Sequence, residues 1–152
     1  MRASSRPTGS SGIQGDPGAA GPGGVGTLAL IALSVAGAAW AIPASATDLL
    51  GVTGYRLAAD LTQATSYRLV AFLAAGGATG AKLRAMYSTT AGGAMAAIDT
   101  GGDIAADASG RVTGAWTALP APAQADVWVT VQGLDGDGVT EAAIQYLAIE
   151  FR

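Results

Sequence analysis

Residues 127–138 read VWVTVQGLDGDG. Val127, Val129 and Val131 fall on one side of an extended chain, Trp128, Thr130 and Gln132 on the other, and two Asp-Gly pairs follow as turn formers. Apolar residues at a period of two bury one face of a strand and leave the other to solvent or a neighbour. The pattern recurs at Tyr67, Leu69, Ala71 and Leu73 against Arg68, Val70 and Phe72, and at Leu83 and Ala85 against Lys82 and Arg84 before Tyr87. It returns at the end of the chain, where Leu147, Ile149 and Phe151 lie opposite Tyr146, Ala148 and Glu150. Breaks at Gly76-Gly77, Gly92-Gly93, Gly101-Gly102, Ser109-Gly110, Pro120 to Pro122 and Asp135 to Gly138 have the spacing of a sandwich. The expected fold is all-β, a jelly-roll-like β-sandwich of about eight strands. A helix drawn through Ala91 to Ala97 is disfavoured by its glycines and its lack of caps.

Upstream, residues 27–46 read TLALIALSVAGAAWAIPASA and carry no charge. Ala44-Ser45-Ala46 matches the small-residue cleavage pattern of a signal peptide, but the apolar run starts about twenty residues later than an h-region should, behind a Gly/Pro tract. Gly37 and Pro43 interrupt a run barely long enough to cross a bilayer. Buried β structure is the preferred reading, with Leu28, Leu30, Leu33 and Val35 in a first strand, then Trp40 and Ile42 before a turn at Pro43.

Still earlier, Gly9, Gly12, Gly15, Gly18, Gly21 and Gly24 open six consecutive triplets. Glycine at every third position is what a collagen triple helix demands, because only a hydrogen atom fits at the axis where three chains meet. Pro17 and Pro22 pre-set the φ that this conformation uses. A flexible Gly/Pro/Ser linker has the same composition. On the triple-helical reading the chain is a homotrimer with an arm at residues 1–8, a stalk of roughly 55 Å at 9–26, and a head at 27–152 that supplies most of the trimer contacts. The arm holds Arg2 and Arg6, candidates for attachment to acidic groups on a larger assembly.

Composition excludes more than it suggests. The 152 residues include no Cys and no His, so thiolate nucleophiles, Ser-His-Asp triads, zinc fingers, haem ligation and disulfides are all absent. A net charge of −3, with basic residues scattered singly, argues against nucleic acid as a partner. Only 12% of residues are charged and 50% are apolar, against about 25% charged in an ordinary domain, so other subunits are expected to cover part of the surface.

Three constellations remain. Asp135, Asp137 and Glu141 have the start of a calcium-loop spacing, although Asp-Gly pairs also make ordinary hairpin connections. Asp99, Asp103 and Asp107 fall four apart, as solvated loop acids or as a source of a glycosidase-like pair. Trp116, Trp128 and Tyr146, with Trp40, suit either stacking on a glycan or anchoring a core or interface. No catalytic residues and no obligatory cofactor are expected.

From Trp40 to Arg152 the segments WAIPASATDLLG, YRLAADLTQATSYRLVAFL, GAKLRAMYST, WVTVQGLDGDG and YLAIEFR, behind collagen-like triplets, resemble virion surface proteins of tailed bacteriophages. The proteins of that family are variously called minor tail, head fibre or decoration proteins. The resemblance implies a trimeric structural protein on the exterior of a capsid or tail, with other virion proteins as partners, no membrane insertion and an accessory role in host adhesion. The alternative within the family is a tail-associated receptor- or glycan-binding protein. Light scattering on the full-length chain is expected to give the mass of three copies, and a monomer mass would exclude the triple helix.

Overall fold

The computed structural model describes residues 26–32, 39–46, 50–51, 56–120 and 127–152. Arg2, Arg6, the six triplet glycines, Leu33, Val35 and Pro122 lie outside the described residues. Along the described chain run β1 (Gly26–Ala32), β2 (Trp40–Ile42), β3 (Leu50–Gly51), β4 (Leu57–Ala59), β5 (Ser66–Ala75) and β6 (Lys82–Ser88). They are followed by β7 (Ala96–Ala97), a single 3-10 turn at Thr100–Gly102, β8 (Ile104–Ala105), β9 (Gly110–Thr113), β10 (Thr117–Ala118), β11 (Val127–Leu134) and β12 (Ala142–Phe151). No helix among the described residues is long and apolar enough to cross a membrane.

The strands form two antiparallel sheets. In sheet I, β12 lies between β5 and the pair β1 and β2, and β5 carries β9 and β10 on its far side. In sheet II, β11 lies between β6 and the pair β3 and β4, and β6 carries β7 and β8. Each sheet therefore has four positions, and each outer position is shared by two short segments. The expected eight strands correspond to these eight positions, which hold twelve segments among the described residues because each outer position has two. Short, broken edges also limit sheet-to-sheet aggregation. Numbered along the chain, the positions run 1-8-3-6 in sheet I and 2-7-4-5 in sheet II.

The alternation seen in the sequence sets which faces meet. Tyr67, Leu69, Ala71 and Leu73 of β5 and Ile144, Leu147 and Ile149 of β12 are buried to within 1%. They share one apolar cluster with Leu83 of β6 and Val127, Val129 and Val131 of β11, so the two sheets pack face to face. Burying each such Leu, Ile or Val side chain is worth about 1.5–3 kcal/mol. Trp40 and Ile42 lie in β2, ahead of a turn closed by Ala46 N–H donating to Pro43 C=O at 2.8 Å. The stretch around Ala91 is a turn and Ala96–Ala97 is a strand, as the lack of helix caps indicated.

Two departures from simple alternation matter. β12 shifts register between Ile144 and Tyr146, so Ile144 and Leu147 both point inward although an even number and an odd number cannot share a face of a regular strand. Val70 and Ala148, outward by parity, are only 3% and 0% exposed. They are paired across β5 and β12, and they sit between the rows that contain Arg68 and Glu150 on one side and Phe72 and Tyr146 on the other. Short side chains between rows of long ones are shielded without leaving the outer face.

Tyr67 is fully buried, and its hydroxyl donates to the Asp99 carbonyl at 2.8 Å, tying the 3-10 turn to the core. Gly102 lies against the phenol ring, where a Cβ would collide with the hydroxyl, so glycine is required there by close approach. Burial first, and the nearby Asp99 and Asp103 charges second, push the Tyr67 phenol from 10.0 up to about 12. The unfolded chain therefore ionises this group at lower pH than the folded one, and the stabilisation it confers holds below pH 10 and drains away between about pH 10 and 12. Tyr67→Phe should cost about 1 kcal/mol at neutral pH and flatten the alkaline fall of the urea midpoint, as read by denaturation across pH 8–12.

Candidate functional site

The outer face of sheet I collects most of the side chains with binding chemistry. Along β5 the outward residues are Arg68, Val70 and Phe72, and antiparallel pairing sets each in a row across the sheet. One row runs Tyr146, Phe72, Arg111; the next runs Ala148, Val70, Thr113; a third sets Glu150 beside Arg68. Phe72 is 44% exposed, unusually high for a phenylalanine on a central strand. Val70, Ala71, Phe72, Arg111, Tyr146 and Glu150 line an open cleft of about 270 Å³.

At the end of this face nearest Gly26, the Arg68 Nε donates to Glu150 Oε2 at 2.6 Å. The Arg68 guanidinium also lies 4.5 Å from the centre of the Trp116 ring, and the Arg152 guanidinium lies 4.4 Å from it. Arg152 is held in turn by its Nε donating to Ser66 Oγ at 3.0 Å and by backbone bonds with Ser66 in both directions. A cation over an indole at a partly exposed site contributes about 0.5–1 kcal/mol. The Trp116 ring is thus already engaged by two cations of its own chain.

The three aromatic residues singled out as glycan binders do not converge. Trp116 and Tyr146 share the outer face of sheet I, displaced along β5 by four residues, or roughly 13 Å. Trp128 belongs to β11, paired with Ser88 and Ala58 in sheet II on the opposite side of the sandwich. Trp40 lies at the edge, paired with Ile144. Which of them share a face depends on sheet membership, which alternation within each strand does not reveal.

Four of the six acidic residues in these constellations, Asp99, Asp103, Asp135 and Asp137, have structural roles. Asp135 is 5% exposed; its Oδ1 accepts from Ala78 N–H at 2.6 Å and its Oδ2 from Ala142 N–H at 3.2 Å. Its own N–H donates to Ala46 C=O at 2.9 Å, and Gly138 N–H donates to Ala44 C=O at 2.9 Å. Gly77 packs so closely on the carboxylate that a Cβ would overlap it. Asp137 turns back on its own loop, accepting from Val139 and Thr140 N–H, both at 2.8 Å, and those bonds hold its carboxyl below the usual aspartate range. Gly136 and Gly138 have φ of 90° and 75°, as the hairpin reading of Asp-Gly requires. Glu141 is exposed. The structure does not bring Asp135, Asp137 and Glu141 together as a ligand set, and no group of three acidic side chains placed to hold a metal ion occurs among the described residues.

Asp99, Asp103 and Asp107 likewise separate. Asp99 caps the 3-10 turn by accepting from Gly101 N–H at 2.7 Å. Asp103 takes both arms of Arg84, at 2.7 and 2.6 Å, with Lys82 at 3.6 Å. Asp107 is exposed beyond β8.

The chain matches no protein-family model, no curated protein and no solved structure.

The outer face of sheet I therefore stands on its own chemistry. Of its residues, Phe72, Arg111 and Glu150 were not singled out as site candidates from the sequence. Their only signal was parity: an aromatic and two charges on the polar side of otherwise apolar strands. For the buried acid, Asp135→Ala should lower stability by about 2–3 kcal/mol in urea, because two backbone donors lose a charged acceptor in a buried site. Calcium chelation should leave the wild-type midpoint unchanged.

Proposed function

We propose that this chain is a structural, non-catalytic surface protein of a tailed-bacteriophage virion. Three copies share a short collagen-like stalk at residues 9–26, and each presents a jelly-roll head on the exterior of the capsid or tail. The observation that carries this reading is the wiring of the sandwich, 1-8-3-6 against 2-7-4-5. Eight positions filled in that order make two Greek keys wrapped into a double sheet, an architecture shared by viral capsid domains, lectins and cupins. Among these, the Gly-X-Y triplets ahead of Gly26 and the likeness of the head to phage virion surface proteins favour the virion.

Decoration of the particle is the favoured role, with host adhesion accessory to it. A glycan-binding role built on Trp116, Trp128 and Tyr146 loses support from their placement on opposite faces. Asp99, Asp103, Asp135 and Asp137 are engaged in turns, caps and ion pairs, while Asp107 and Glu141 stand exposed. The chain order supports the polarity: Gly26 pairs with Phe151 at one end of sheet I, and β1 begins there two residues after the last triplet glycine, Gly24. The stalk enters at that end, and the loop at Asp135 to Glu141 forms part of the other. With Arg2 and Arg6 in the arm as the attachment, residues 1–25 bind the particle and the head points away.

Removing residues 1–25 should leave a folded head that no longer assembles onto particles produced without the full-length protein. A truncated head that still assembles would reverse the polarity.

A further inference from the structure

We propose that the outer face of sheet I, centred on Phe72, Tyr146 and Arg111, is the surface through which each head packs against a second copy of this chain. This inference rests on the trimeric reading above and names the surface that such a trimer uses.

The position of the stalk argues for this face. Twenty-five residues precede β1 and end at Gly26, in the outermost position of sheet I, beside Phe151. Three chains joined along residues 9–24 thus deliver three copies of sheet I, not sheet II, to the vicinity of the shared axis. The inner face of sheet I is already filled by sheet II through the common apolar cluster. Of the two faces of the sheet beside the stalk, only the outer one remains open to a neighbour.

Its chemistry is that of a subunit contact. Protein interfaces concentrate Phe, Tyr, Trp and Arg and exclude Lys, and their energetic centres are aromatic and Arg anchors. The outer face of sheet I holds Phe72, Tyr146 and Trp116 with Arg68, Arg111 and Arg152, whereas the one lysine, Lys82, is in sheet II. In sheet II, Arg84 and Lys82 share the single carboxylate of Asp103. Arg111 is exposed and makes no ion pair among the described residues, which leaves one unneutralised cation beside the exposed Phe72 ring. A threefold contact is heterologous, so Arg111 meets a different part of the neighbouring copy rather than another Arg111. Exposed carboxylates elsewhere on the described surface, Asp60, Asp107, Asp137 and Glu141, have the complementary charge.

The test uses full-length protein. Phe72→Glu places a charge at the centre of the proposed contact without touching the core, while Gln132→Glu makes a comparable change on the outer face of sheet II. By sedimentation equilibrium, wild type and Gln132→Glu should be trimers, and Phe72→Glu should dissociate at least 100-fold more readily. A stable Phe72→Glu trimer, whether or not it still assembles onto particles, overturns the proposal while leaving the trimeric reading intact. A monomeric wild type overturns both. The chain has no cysteine, so a single thiol gives a second readout that does not depend on an altered contact. Thr113→Cys, on the proposed face, should react with a maleimide at least tenfold more slowly than Ala58→Cys on exposed β4. Equal rates in a trimeric protein place the contact elsewhere and overturn the proposal.

Discussion

The pairing of β5 with β12 is the constraint on which the rest of the sandwich depends. It joins the two longest strands, from Tyr67 opposite Phe151 to Ala75 opposite Ala143. Its inward side supplies Tyr67, Leu69, Ala71, Leu73, Leu147 and Ile149 to the core. A slip of one residue in either strand would turn Arg68 or Glu150 into that core, so the hydrophobic pattern fixes the register strongly. β11 and β6 repeat the arrangement in sheet II with a shorter overlap, Trp128 to Leu134 against Ser88 to Lys82. Once these four central strands are set, the outer segments need contribute only two to seven residues each, because they add to a ladder that already exists.

How far the fold could be read in advance follows from this division of labour. β5, β11 and β12 were legible because each is long enough for period two to stand out, and each pairs with a strand of the same kind. The paired segments at the edges were not separable, since a two-residue strand such as Ala96–Ala97 has no period at all. The bulge in β12 was hidden for another reason. AAIQYLAIEF contains apolar residues of both parities, and only the partner strand decides which of them change sides.

The candidate sites divide in the same way. Asp135 read first as a turn residue, with a cation ligand as the lesser alternative, and its actual partners, the backbone groups of Ala78, Ala142 and Ala46, leave no mark in a sequence. It works as a staple between the β5–β6 loop, the turn after β2 and the start of β12, so at the far end of the sandwich a buried carboxylate works beside the apolar packing of Ile42, Ala46, Ala81 and Ala142. Trp116 and Tyr146 were found by residue type, and their separation from Trp128 required the topology. Phe72 and Arg111 were visible in principle, being an aromatic and a cation at outward positions, but their adjacency depends on β9 returning beside β5.

That staple also decides where the molecule tolerates foreign sequence. Beyond Asp137 the turn rises to Val139, 85% exposed, while the bonds that secure the end of the sandwich are made on either side of it, at Asp135, Gly138 and Ala142. β12 then runs ten residues back to the end where Phe151 pairs with Gly26, which puts Val139 roughly 30 Å from Gly26. A peptide grafted there would be displayed at the end of the sandwich opposite Gly26, on a loop whose two ends are already clamped together.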